Sequence, residues 1–197
     1  MTEVLAKPLP VGPYDRRGNS WWGVMCLIAT EGSLFAYLLF SYYYFDFQLP
    51  SSWRPDEHPK FLLSAPDSVI LLISSVFVWL GERAIKRGNR AGASLGLFSG
   101  AALGIIFILV QFKEWADKHF TPGSSPYGSI YFTTTGFHMA HVTAGVIALL
   151  FVGVWNQLGY FDRERHAAIA NAAIYWHFVD AVWVTIFFTF YITPYLW

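Results

Sequence analysis

Hydrophobic residues run along this 197-residue chain in five long blocks divided by short polar breaks. A helix needs about 20 mostly apolar residues to cross a bilayer, and every block reaches that length. The first predicted span, 21–45, is interrupted only by Glu31. The second, 61–81, has Pro66 and Asp67 near its start, where a proline and an acid suit a first helical turn. The third, 91–112, carries no charge, and the fourth, 127–155, holds His138 and His141. The fifth, 167–195, holds His177 and Asp180. Because the connections are short, the pattern predicts an all-α integral membrane bundle of five transmembrane helices. Residues 21–197 would form that single unit, preceded by a polar segment, 1–20. Neither an internal repeat nor a low-complexity tract interrupts it.

Composition agrees with a membrane setting. Charged residues make up 13% of the chain, about half the share in a soluble domain. The 19% aromatic content suits a protein with two water–lipid interfaces to line. Zero net charge gives a nucleic acid nothing to bind. The single cysteine, Cys26, excludes an internal disulfide, a CxxC redox pair and a c-type haem attachment. The opening "MTEVLAKPLPVGPYDRRGNS" is polar and broken by prolines, unlike a secretory signal, so the first apolar block is expected to serve as its own membrane signal.

Basic residues set the expected orientation. With the N-terminus in the cytoplasm, nine fall on that side: Lys7, Arg16, Arg17, Arg83, Lys86, Arg87, Arg90, Arg163 and Arg165. The other side keeps four, Arg54, Lys60, Lys113 and Lys118. That asymmetry predicts the N-terminus in and the C-terminus out. Along the third span Gly92, Gly96, Gly100 and Gly104 recur every fourth residue, a bare stripe that lets two helices approach closely.

Glu31, His138, His141, His177 and Asp180 all fall at similar depth, Glu31 roughly 15 Å down its helix. Ionisable groups facing lipid are penalised by several kcal/mol, so a shared polar cluster between helices is expected. His138 and His141 project within about 60° of each other, as do His177 and Asp180. Three readings fit: a transition-metal site, a b-type haem between the fourth and fifth spans, or groups that satisfy one another by hydrogen bonds. The third pairs Glu31 with a histidine and Asp180 with His177 or a neighbouring hydroxyl.

Five strings then occur in a particular order: "GVMCLIATEGSLFAYLLFSYYYF", "SVILLISSVFVWLGERAIKRGNR", "LGIIFILVQFKEW", "YGSIYFTTTGFHMAHVTAG" and "AAIYWHFVDAVWVTIFF". Together they resemble subunit III of the haem-copper cytochrome c oxidases, in a short five-helix bacterial form. The resemblance implies a non-catalytic subunit in a bacterial plasma membrane, with no haem, copper or other metal of its own. Haem and copper would lie in partner subunits I and II, with cytochrome c as donor to the complex. The subunit would flank subunit I, hold phospholipid in a cleft between its helices, and support proton uptake and active-site integrity. Glu31 corresponds to the family's membrane carboxylate. His138, His141, Trp176, His177 and Asp180 fall in the TGFH and YWHF motifs, and Gln111 and Glu114 match a Q-x-x-E pattern. Arg90 is the candidate phosphate contact, since a guanidinium binds phosphate bidentately.

Two departures stand out. Asn171 occupies a position where many relatives carry a glutamate, and "SAPDS" replaces a string that often holds an asparagine. A quinol oxidase subunit, or the homologue that accompanies nitric oxide reductase, would share these motifs. An independent b-haem or metal-binding membrane protein is the rival from another class, and a transporter lacks the expected inverted repeat.

Overall fold

The computed structural model describes residues 18–50, 53–55 and 61–196. Most of the expected N-terminal segment, including Lys7, Arg16 and Arg17, lies outside the described residues, as does Lys60. Five helices follow: α1 (Asn19–Gln48), α2 (Phe61–Lys86), α3 (Arg90–Ala116), α4 (Pro126–Gln157) and α5 (Ala167–Phe187). Among the described residues these five are long and apolar enough to cross a membrane. The chain is a multi-pass membrane protein. Helices α1 to α4 run past their hydrophobic blocks, because the block marks the lipid-facing length and the helix continues into the polar interface.

Local chemistry sets several ends. Asn89 caps α3 by accepting from the Gly92 amide at 2.9 Å, and Ser125 caps α4 by accepting from the Gly128 amide at 3.0 Å. Such caps satisfy amides that the first turn leaves unpaired. Gly88 and Gly159 have φ near +80° and +86°, the left-handed conformation that closes a helix with least strain in glycine.

Two expectations are corrected here. Helix α2 begins at Phe61, so Pro66 and Asp67 are not in its first turn. Asp67 is instead fully buried inside the bundle. The fifth span also changes character before its end: α5 gives way to a π-helical turn, Phe188–Ile192, and then a short 3-10 turn, Thr193–Tyr195. Pro194 cannot donate the next helical hydrogen bond, and its ring crowds the preceding turn; the last residues therefore wind differently.

Helices α2 and α3 form the tightest pair. A Cβ on Gly96 would meet Gly81 Cα and Phe77 O at 2.6 Å, and one on Gly100 would overlap Val78. Further along, the stripe turns away: a Cβ on Gly104 would strike Trp176 at 2.5 Å and Val146 at 2.8 Å. Successive i+4 positions drift by about 40° around a helix, so one glycine row serves α2 at its start and α4 and α5 further on. Gly92 lies against its own cap, Asn89, and Ala84. Helix α1 packs on α4 and α5 but buries only Phe35 and Tyr42 fully.

Candidate functional site

Glu31 and His141 meet across the α1–α4 interface. His141 Nε2 lies 3.0 Å from Glu31 Oε2, and its Nδ1 lies 2.6 Å from the Phe137 carbonyl. A carbonyl only accepts, so Nδ1 carries a hydrogen. Two arrangements then complete the second bond: an imidazolium against a carboxylate, or a neutral ring against a protonated Glu31. In both, the pair holds one proton and has no net charge. A pair of this kind avoids the penalty that either ion would meet alone in hydrocarbon.

The pair is not sealed. The Glu31 side chain is 28% exposed and that of His141 14%, and both line a cleft of about 670 Å³ between α1, α4 and α5. Val24, Leu27, Asn171 and Tyr175 are also on its walls, which are otherwise largely apolar. The Tyr175 hydroxyl donates to the His141 carbonyl at 3.5 Å. Asn171, the departure from the family pattern, therefore faces the same space as Glu31. Arg90 is exposed at the start of α3 beside Gly159, and its carbonyl accepts from Asn156 at 2.8 Å. It does not line the cleft.

The expected single polar cluster is replaced by separate sites. His138 points inward from α4, stacked on Trp183 at 5.0 Å and edge-on to Phe107 at 5.8 Å, with Phe35 at 6.3 Å. Neither of its ring nitrogens has a partner among the described residues, and the ring is fully buried. His177 turns to α2, where its Nδ1 shares a 2.7 Å hydrogen bond with the Ser75 hydroxyl. Asp180 lies beside Ser75 but is not bonded to His177, and neither carboxylate oxygen has a partner among the described residues. The physical reason is angular. A 60° offset on one helix is enough to send two side chains to different neighbours in a five-helix bundle. Among the described residues, no three His, Cys, Asp or Glu side chains are grouped to hold a metal ion.

Sequence reading missed the serines of α2. Ser74 Oγ accepts from Trp176 Nε1 at 3.0 Å, and Ser68 Oγ accepts from Trp183 Nε1 at 2.9 Å. These bonds set the register between α2 and α5 and fix the indole that walls His138. Their signal was present as serines recurring along an otherwise apolar helix, although Ser68 and Ser74 lie about 120° apart around it.

At the far end of α3, Glu114 accepts from Lys118 at 2.9 Å and from the Tyr191 hydroxyl. Gln111, one turn earlier, is fully buried.

The family model for cytochrome c oxidase subunit III matches residues 16–197. A Synechocystis sp. protein, cytochrome c oxidase subunit 3, is 33% identical over 87% of this chain and 74% of its own length. The protein of the same description from Drosophila melanogaster is 32% identical, and that from Equus caballus 31%; each comparison covers 86% of this chain and 68% of the relative.

Proposed function

The chain belongs to the cytochrome c oxidase subunit III family, and on that premise we propose that it works as the redox-free subunit of a haem-copper terminal oxidase in aerobic respiration. It flanks subunit I, beside subunit II, in a complex whose donor is cytochrome c. Residues 1–20 form a cytoplasmic tail, residues 21–197 the membrane unit, and the C-terminus faces outward from a bacterial plasma membrane. The nine-to-four distribution of basic residues supports that orientation.

The observation that carries the reading is the Glu31–His141 pair on the wall of the cleft. Apolar walls suit the acyl chains of a phospholipid, and Arg90 is the proposed phosphate contact near the cytoplasmic surface. The pair keeps one proton at the edge of this space without stranding a net charge in the membrane. Its role is to hold and exchange a proton near the uptake side, while oxygen reduction takes place in subunit I. His138, His177 and Asp180 act through packing and polarity in the interior.

Purification in mild detergent from the native membrane tests the assignment. Co-purification of a large multi-helix subunit with haem absorbance is the expected result. Recovery of this chain alone, under conditions that keep other respiratory complexes intact, would overturn it. Within the complex, Glu31→Gln should slow proton-coupled turnover by less than about tenfold, below the roughly 10²–10⁴-fold contribution of a group that acts in the chemical step itself, and leave the haem spectrum unchanged. Lost haem absorbance with normal assembly would count against the reading.

A further inference from the structure

Away from the cleft, α2, α3, α4 and the π-helical turn bring together a second set of buried polar groups. Asp67 and Gln111 are 0% exposed and Glu114 is 4% exposed. Five of their polar atoms have no hydrogen-bond partner among the described residues: both oxygens of Asp67, both amide atoms of Gln111, and Glu114 Oε2. The α2–α3 contacts place these residues at one level. Gly81 packs on Gly96, and Ser74 and Val78 pack on Gly100. Continued by about two turns, this antiparallel register brings Asp67 to the turn of α3 that leads into Gln111. Asp67 also lies within electrostatic range of Glu114.

The other groups facing this point are few. Lys118 pairs with Glu114, Tyr191 donates to Glu114, and Tyr131 lies 3.0 Å from the Tyr191 hydroxyl and 3.5 Å from Glu114, with the Gln111 side chain close to the Tyr131 hydroxyl. Tyr127 is within electrostatic range of Glu114 from the start of α4. Among the described residues, Lys118 is the one ammonium at this point and it pairs with Glu114, and a second carboxylate buried beside that pair would be strongly disfavoured.

Donor counting gives the same imbalance. If Asp67 is ionised, the five unpartnered atoms comprise four acceptors and one amide nitrogen with two hydrogens. At least two acceptors then remain unsatisfied, and buried polar groups rarely do. One added proton closes the count. We propose that Asp67 holds a proton and pairs as a neutral acid with the Gln111 amide, forming a proton-holding site separate from Glu31–His141. The Asp67 O–H donates to Gln111 Oε1. One Gln111 Nε2–H returns to the other Asp67 oxygen, and the second reaches Glu114 Oε2. Lys118 and Glu114 then balance each other, and the site has no net charge. His141 and Tyr131 are ten residues apart on α4, so the two proton-holding sites are separated by roughly 15 Å along the helix.

Infrared spectroscopy of the intact complex at neutral pH tests this, with ¹³C in the aspartate carboxyl groups. The wild type should show a protonated-acid carbonyl band that shifts with the label and in heavy water. Asp67→Asn should abolish that band yet assemble, because an amide has the shape of the neutral acid. Absence of a labelled acid band in the wild type, or its persistence in Asp67→Asn, would overturn the proposal. So would a band that emerges only after sodium is removed, since a bound cation would then occupy the proton's place. Should Asp67→Asn fail to assemble, Asp180→Asn decides. Retention of the labelled band supports a protonated Asp67, and its loss assigns the band to Asp180.

Discussion

A methyl group on Gly96 would sit 2.6 Å from the α2 backbone, and backbone cannot rotate aside as a side chain can. Gly96→Ala should therefore lower stability by about 1–3 kcal/mol through overpacking, despite a helix-propensity gain of up to about 1 kcal/mol. At Gly23 a Cβ would meet nothing within 4 Å, so Gly23→Ala should leave the thermal midpoint in detergent unchanged or slightly raised. Equal midpoints for the two variants would show that the α2–α3 contact yields easily. Trp176 makes a complementary test. Trp176→Phe removes the indole donor to Ser74 and leaves space against Gly104 and Gly145, so a loss of about 1–3 kcal/mol is expected from the hydrogen bond and packing together. A Ser74→Ala variant with the same midpoint as wild type would assign that loss to packing alone.

Among the elements, α1 is the most weakly anchored. Only Phe35 and Tyr42 of its thirty residues are buried, and Glu31–His141 supplies its polar contact with α4. Phe35→Ala should cost about 3–5 kcal/mol at that interface. Hydrogen exchange should rise along α1 while α3 amides stay protected; equal acceleration in both would mean that α1 does not separate as a unit. The long apolar runs make all five helices legible in the sequence, because length alone distinguishes a membrane-crossing helix. The start of α2 at Phe61 is legible from its apolar run, but the place of Pro66 and Asp67 is not, for a physical reason: both have first-turn chemistry, yet they lie more than a turn inside the helix. Pairing is legible only where the partners are few. Glu31 with a histidine can be anticipated, but which histidine depends on inter-helix register. The same dependence hides the bonds from Ser68 and Ser74 to the α5 indoles, and it gives His177 to Ser75 instead of Asp180.

For the whole molecule, charge asymmetry makes a prediction about topology. In a Cys26→Ser background, a cysteine at Arg87 should react with a membrane-impermeant thiol reagent only after the cells are opened. A cysteine at Gly123, in the loop between α3 and α4, should react from outside. The reverse pattern would invert the orientation. The wiring of the bundle also constrains its biogenesis. Helices α2 and α3 are joined by a few residues and can pair as soon as both have left the insertion machinery. Helix α1 has no such neighbour, since Glu31 finds His141 110 residues later in the chain. At roughly 5–20 residues per second, the ribosome needs several seconds or more to supply that partner. During that interval α1 resides in the bilayer with its acid unpaired, so the nascent chain must tolerate a lone carboxyl group before the finished fold gives it a base.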